Sequence, residues 1–218
     1  MGQLALFIAL SLALAPGLLA LAVTARLEAR LWLNSLLAMA VWAGALAART
    51  PILFLARGMG VQEALVVSAL AAGFFEESSR LLLLEYKCRA KNTRCPLAIG
   101  LGWGLGEAIA TYTPSILVAA SLGRVLWPGA LAGALERNSA IAFHVSMSLV
   151  LGGGVQAGRH KILLLVVAIV VHVLLDYSAG LLFLKGMDIW ATEVIVAVES
   201  TIALLASMAA YKRIQEDH

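Results

Sequence analysis

The sequence predicts an all-α fold, a polytopic bundle of about seven transmembrane helices with the N-terminus outside and the C-terminus cytoplasmic. Three observations predict it. Of 218 residues, 61% are hydrophobic and only 13% charged, whereas soluble domains carry roughly 45–50% apolar and 25% charged residues. The apolar residues fall into runs of helix length, and a membrane helix needs about 20 mainly apolar residues. Finally, Lys and Arg gather in alternate connections between those runs.

The runs place spans at roughly 3–24, 31–48, 60–85, 97–120, 129–156, 162–184 and 188–210. The first has no Lys or Arg before its apolar stretch and is too long for a signal peptide, so it reads as a mature helix. Nothing in the composition divides the chain, which reads as one integral membrane domain over 1–218. Arg26, Arg30, Lys87, Arg89, Lys91, Arg94, Arg159, Lys161, Lys212 and Arg213 fall on one side, ten in all. Arg49, Arg57, Arg124 and Lys185 fall on the other, and Arg80 and Arg137 lie inside spans. Ten against four sets the stated orientation. It also implies a multi-pass protein of the cell membrane, with lipid as its first partner.

Nucleic acid is excluded as a partner. The net charge is only +3, and the 16 basic residues form no stripe. Cys88 and Cys95 supply no disulfide framework, and their gap lacks the usual zinc spacing. The basic connection 86–96 reads as a solvated loop that sets topology.

Charge inside a bilayer costs at least ~2.5 kcal/mol per residue, so retained polar groups are functional candidates. They are Glu76, Glu77, Arg80, Glu107, Glu136, Arg137, His144, His172, Asp176 and Glu199. Glu76, Glu77, Glu107, His144 and His172 lie about ten to thirteen residues from the cytoplasmic ends of spans three to six. At 1.5 Å rise per residue that is roughly 15–20 Å, near the bilayer middle. Four helices of alternating direction thus deliver acids and imidazoles to one layer, and a cytoplasm-facing polar cavity is expected there.

Spacing adds detail. Glu76 and Glu77 stand four and three residues before Arg80, so Arg80 can reach either. His172 and Asp176 share a face, where Asp176 can fix the imidazole tautomer or both can ligate a metal. Glu136, Ala140 and His144 form a stripe on span five. Gly100, Gly102, Gly104 and Gly106 make two overlapping small-xxx-small pairs that admit a close helix neighbour. Glu199 beside Ser200 and Thr201 reads as a hydrogen-bonded residue without a role, and His160 and His218 as solvated.

Glutamate and histidine in such a layer suit water activation. A Glu takes the proton while imidazoles hold a divalent metal or stabilise the oxyanion. Peptide-bond hydrolysis on a membrane protein or peptide substrate is the reaction that fits best. The metal question is open on the residues. No His-Glu-x-x-His helix exists, and a zinc set would be assembled from separate helices.

At these residues the chain resembles a known group. Glu76-Glu77-x-x-Arg80, then His144, then His172-x-x-x-Asp176 is similar to the CPBP superfamily, which joins the type II CAAX prenyl endopeptidases and the PrsW proteases. Gly-Trp-Gly-Leu-Gly-Glu-Ala-Ile around Glu107 and the Glu136-Arg137…His144 stretch resemble the YhfC family of intramembrane metalloproteases. The resemblance runs over spans three to six, about half the chain. It implies that Glu76 activates water with Glu77 and Arg80 in support, and that His144 and His172 bind metal or oxyanion. It also implies zinc or another divalent ion held among Glu107, His144, His172 and Asp176. Trp103 stands where the YhfC pattern has His, which removes one candidate ligand. The superfamily also takes in the non-catalytic APH subunit of gamma-secretase, so a membrane scaffold is the alternative expectation. A proton- or cation-coupled transporter is the third. A relay of that kind needs polar residues running on from the layer to both faces, whereas the outer halves of spans three, four and six read as nearly bare. Substrate, oligomeric state and any role of prenylated ends are not readable from the residues.

Overall fold

The computed structural model describes residues 3–216, and His218 lies outside them. Among the described residues it has seven α-helices and no strand: α1 (Gln3–Ala25), α2 (Ala29–Ala56), α3 (Val61–Lys87), α4 (Arg94–Ser121), α5 (Trp127–Ala157), α6 (Lys161–Leu184) and α7 (Ile189–Glu216). Each expected span is one helix. Five of them, α1, α2, α5, α6 and α7, are long and apolar enough to cross a membrane. The other two fall short because α3 carries Glu76, Glu77 and Arg80, and α4 spends its middle on glycines and Glu107. The chain is an integral membrane protein in contact with lipid.

The largest departure concerns α2. It does not stop at residue 48 but runs through Arg49 and Pro51 to Ala56. Membrane helices tolerate such a proline, and the Thr50 hydroxyl adds a bond to the Leu46 carbonyl, one turn before it, at 2.8 Å. Arg49 therefore leaves the connection and joins Arg80 and Arg137 inside helices. The count at the two ends becomes ten against three.

Helix α5 is the innermost span. Its most apolar window is 83% buried, against 11% for the peripheral α6. Beside it lies α4, held between α2 on one side and α5 on the other. Lipid gives helices little hydrophobic reason to associate, so close packing and polar contacts must hold the bundle together. The glycines provide the packing, one pair to each neighbour. A Cβ on Gly100 or Gly104 would come within 2.6 Å of Val145 Cα or 2.7 Å of Ile141 Cα on α5. One on Gly102 or Gly106 would come within 2.6 Å of Ser35 Cα or 2.9 Å of Met39 Cα on α2. Around this pair, α1 covers α4 and α5, α3 packs on α2 and α6, and α7 packs on α5.

The end with ten cations is tied in two ways. Arg94 donates to the Thr24 carbonyl at 2.7 Å and the Ala25 carbonyl at 3.1 Å and pairs with Glu28, so a cation meets the C-terminus of α1 as the helix dipole favours. The cysteines correct the sequence reading: Cys88, capping α3, forms a disulfide with Cys95 in the first turn of α4. The turn between the helices folds their Cα atoms to 5.7 Å, an approach that spacing alone does not reveal.

Candidate functional site

The expected layer exists. Glu77 and Arg80 of α3, Glu107 of α4, His144 of α5 and His172 of α6 lie in one network near the middle of their helices, and Glu76 of α3 joins it through Trp103. All but Glu107 are at most 3% exposed. Groups this dry need partners, and the partners define the chemistry.

Arg80 is the centre of the network. It donates to the His144 carbonyl at 2.7 Å and stands 2.9 Å from His144 Nδ1. It pairs with Glu77 at 3.4 Å and lies over the Trp103 ring at 4.5 Å. A guanidinium only donates, so Nδ1 of His144 accepts and the neutral ring carries its hydrogen on Nε2. That N–H faces Glu107 Oε2 at 2.7 Å. The other Glu107 oxygen accepts from Arg137 at 2.8 Å, and Arg137 also holds Glu136.

Arg80 takes Glu77 of the two acids within reach. Glu76 is held from elsewhere: Oε1 accepts from Arg49 of α2 at 2.9 Å and Oε2 from Trp103 Nε1 at 3.0 Å. His172 is likewise held differently from the expectation. Its Nδ1 bonds Glu77 Oε1 at 2.6 Å, while Asp176 stands 3.6 Å from Nε2, beyond a normal hydrogen bond. Glu77, not Asp176, is therefore the group that orients this imidazole. Glu199 accepts from Ser178 at 2.8 Å and lies apart from the network, and His160 is exposed at the start of α6.

A cavity of about 80 Å³ opens onto these residues, with Arg49, Glu76, Glu107, His144, His172 and Asp176 in its wall. The stripe Glu136, Ala140, His144 lines it as its spacing implies. It adjoins a wider chamber of about 360 Å³ with which it shares Glu136, Leu175, Asp176 and Val196. The chamber is lined by Leu65 and Ser68 of α3, Phe183 of α6, and Thr192 and Glu193 of α7. Those positions lie toward the end with three cations. The expectation of a cavity facing the ten-cation end is corrected: the wider space lies toward the other end, where the outer halves of α3 and α6 add only Leu65, Ser68 and Phe183 beside alanines and so are as bare as expected. The missed wall comes from α7, whose Thr192 and Glu193 stand near the start of the helix, inside the expected span 188–210 but not among the polar candidates read from it.

Part of this wall offers donors to a divalent ion. Glu76, Glu107 and His144 each offer one atom, and the three atoms lie within 4.8 Å of one another. His172 and Asp176 are not in that group. Carboxylates and imidazole are the right donor types for zinc, so the residues fit. For His144 to ligate through Nε2, the hydrogen that Arg80 holds on that nitrogen must leave.

Residues 126–196 match the model of the YhfC intramembrane metalloprotease family. The stretch holds α5, α6 and the first turns of α7, and so Glu136, Arg137, His144, His172 and Asp176. The chain is thus similar to that family over the half of the site that α5 and α6 supply. No curated protein matches the chain.

Proposed function

We propose that the protein is an intramembrane endopeptidase in which Glu76 activates water for attack on a peptide bond. One observation carries the reading. Glu76, 2% exposed, stands in the wall of a cavity that also receives Glu107, His144 and His172 from three other helices. The family match over α5 and α6 supports the same class of activity.

Each carboxylate oxygen has two lone pairs. Arg49 and Trp103 use one on each Glu76 oxygen, so the acid is fixed in orientation and still able to accept a proton from water in the cavity. After attack the proton passes from Glu76 to the amide nitrogen as the C–N bond breaks. Glu77 and Arg80 act one step back: they hold His172 and His144 and set the ring hydrogen of His144. Glu107 and His144, with one oxygen of Glu76 as the third donor and the other left to accept the proton, would hold a divalent ion, which when bound supplies Lewis-acid polarisation and a more acidic water. The chamber toward α7 gives substrate and water a route to the layer.

The test is purified protein in detergent against membrane-spanning and prenylated peptides, wild type beside Glu76→Gln. Cleavage by wild type and its loss in the variant are expected. Equal cleavage by both, or none by either, favours the scaffold reading. That second reading has its own observation: the buried network joins α2, α3, α4, α5 and α6 and would serve assembly as well as chemistry.

A further inference from the structure

A peptide carbonyl in the cavity needs a hydrogen-bond donor, and most of the polar residues in the wall are carboxylate acceptors. Three residues of the wall carry a basic group: Arg49, His144 and His172. His144 is committed, accepting from Arg80 at Nδ1 and facing Glu107 at Nε2. His172 is committed to Glu77 at Nδ1, and its Nε2 points toward the Asp176 carboxylate. Arg49 differs. One Nη donates to Glu76, while its Nε is buried with no partner among the described residues. The side chain is 17% exposed in the cavity wall, and a guanidinium carries five N–H groups, so it brings donors to the cavity beyond the one that Glu76 uses.

We propose that Arg49 is a catalytic residue that binds the scissile carbonyl oxygen and stabilises its oxyanion. The inference rests on the hydrolytic reading above and assigns a role to a residue outside the family-matched stretch. Because the same guanidinium bonds Glu76 Oε1 at 2.9 Å, the base and the electrophilic donor sit side by side at a fixed separation, so that a water on Glu76 and a carbonyl on Arg49 would lie next to each other in the cavity. Water adds to the carbonyl carbon and loses its proton to Glu76. The C=O π pair moves onto oxygen and is met by Arg49. When the pair returns, the C–N bond breaks and the nitrogen takes the proton from Glu76, so one water is consumed per bond cut. A guanidinium suits this better than an ammonium because its planar fork serves the carboxylate and the oxyanion at once. The role adds to whatever polarisation an ion supplies.

The experiment compares wild type, Arg49→Gln and Arg49→Lys in detergent on a peptide that wild type cleaves, with thermal unfolding as the check on folding. Two ligands are also titrated: a peptide phosphonamidate, carrying a tetrahedral oxyanion, and the matching uncleaved N-methyl amide. Loss of an oxyanion donor typically lowers kcat about 10²–10³-fold. Arg49→Gln is expected to show that loss with KM within about threefold, to lose phosphonamidate affinity in parallel, and to keep amide affinity. Arg49→Lys should recover part of both. A folded Arg49→Gln with unchanged kcat, or one that weakens both ligands equally, overturns the role of Arg49 alone. If Arg49→Gln does not fold, the same comparison on Arg49→Lys decides it. A wild type that cleaves nothing while Glu76→Gln is equally inert overturns the hydrolytic reading and this inference with it.

Discussion

Arg80 faces His144 Nδ1 at 2.9 Å and so dictates which nitrogen of that imidazole carries hydrogen. The consequence reaches Glu107, whose Oε2 meets the resulting N–H at 2.7 Å. Three helices are thereby tied by one protonation pattern, with a fully buried cation at its root.

That cation is expected to be costly to remove. Arg80→Gln leaves Glu77 charged in a dry site with only the His172 imidazole as partner, and breaking a buried pair from one side costs about 3–5 kcal/mol. Unfolding in detergent should show a large drop for Arg80→Gln. Converting Glu77 to Gln in the same chain should recover part of it, because no lone charge then remains. A single variant as stable as wild type would remove Arg80 from the centre of the network.

Metal content tests the Glu76, Glu107, His144 group. Protein prepared without chelators is expected to hold about one divalent ion per chain by elemental analysis, the one-site stoichiometry of such a donor set. Glu107→Gln and His144→Gln should each lower it, whereas Asp176→Asn, outside the group, should not. Loss confined to Asp176→Asn would shift the ligand set to α6.

The Cys88–Cys95 disulfide closes a short loop between α3 and α4. Removing it by a double Cys→Ser change should cost about 2–3 kcal/mol if it acts by restricting the unfolded chain. Mass spectrometry after alkylation, with and without reductant, measures its occupancy. Disulfides persist in oxidising compartments, while the ten cations at the same end favour the cytoplasm. Labelling of Lys87 and Lys91 in intact cells by an impermeant amine reagent decides sidedness: protection assigns that end to the cytoplasm.

Much of this was legible from the sequence. Seven apolar runs gave seven helices because membrane length fixes helix length, and Glu76, Glu77, Arg80, Glu107, His144 and His172 met because their positions share a depth. What was hidden depended on rotation about helix axes. Depth does not tell which acid Arg80 meets, nor that Glu77 rather than Asp176 takes His172. Arg49 was hidden by charge. An arginine after an apolar run reads as its end, although Ile52, Leu53, Phe54 and Leu55 continue the apolar pattern beyond it. That continuation was the available signal. Trp103, which reads as a lost ligand, proves to be a donor to Glu76.

The two glycine pairs of α4 set the width of the site. Gly102 and Gly106 bring up the helix that carries Arg49; Gly100 and Gly104 bring up the one that carries His144. The thickness of a bare helical backbone is therefore the gauge that spaces the two opposing walls. Each wall can be shifted alone, by a methyl added to one pair and not the other.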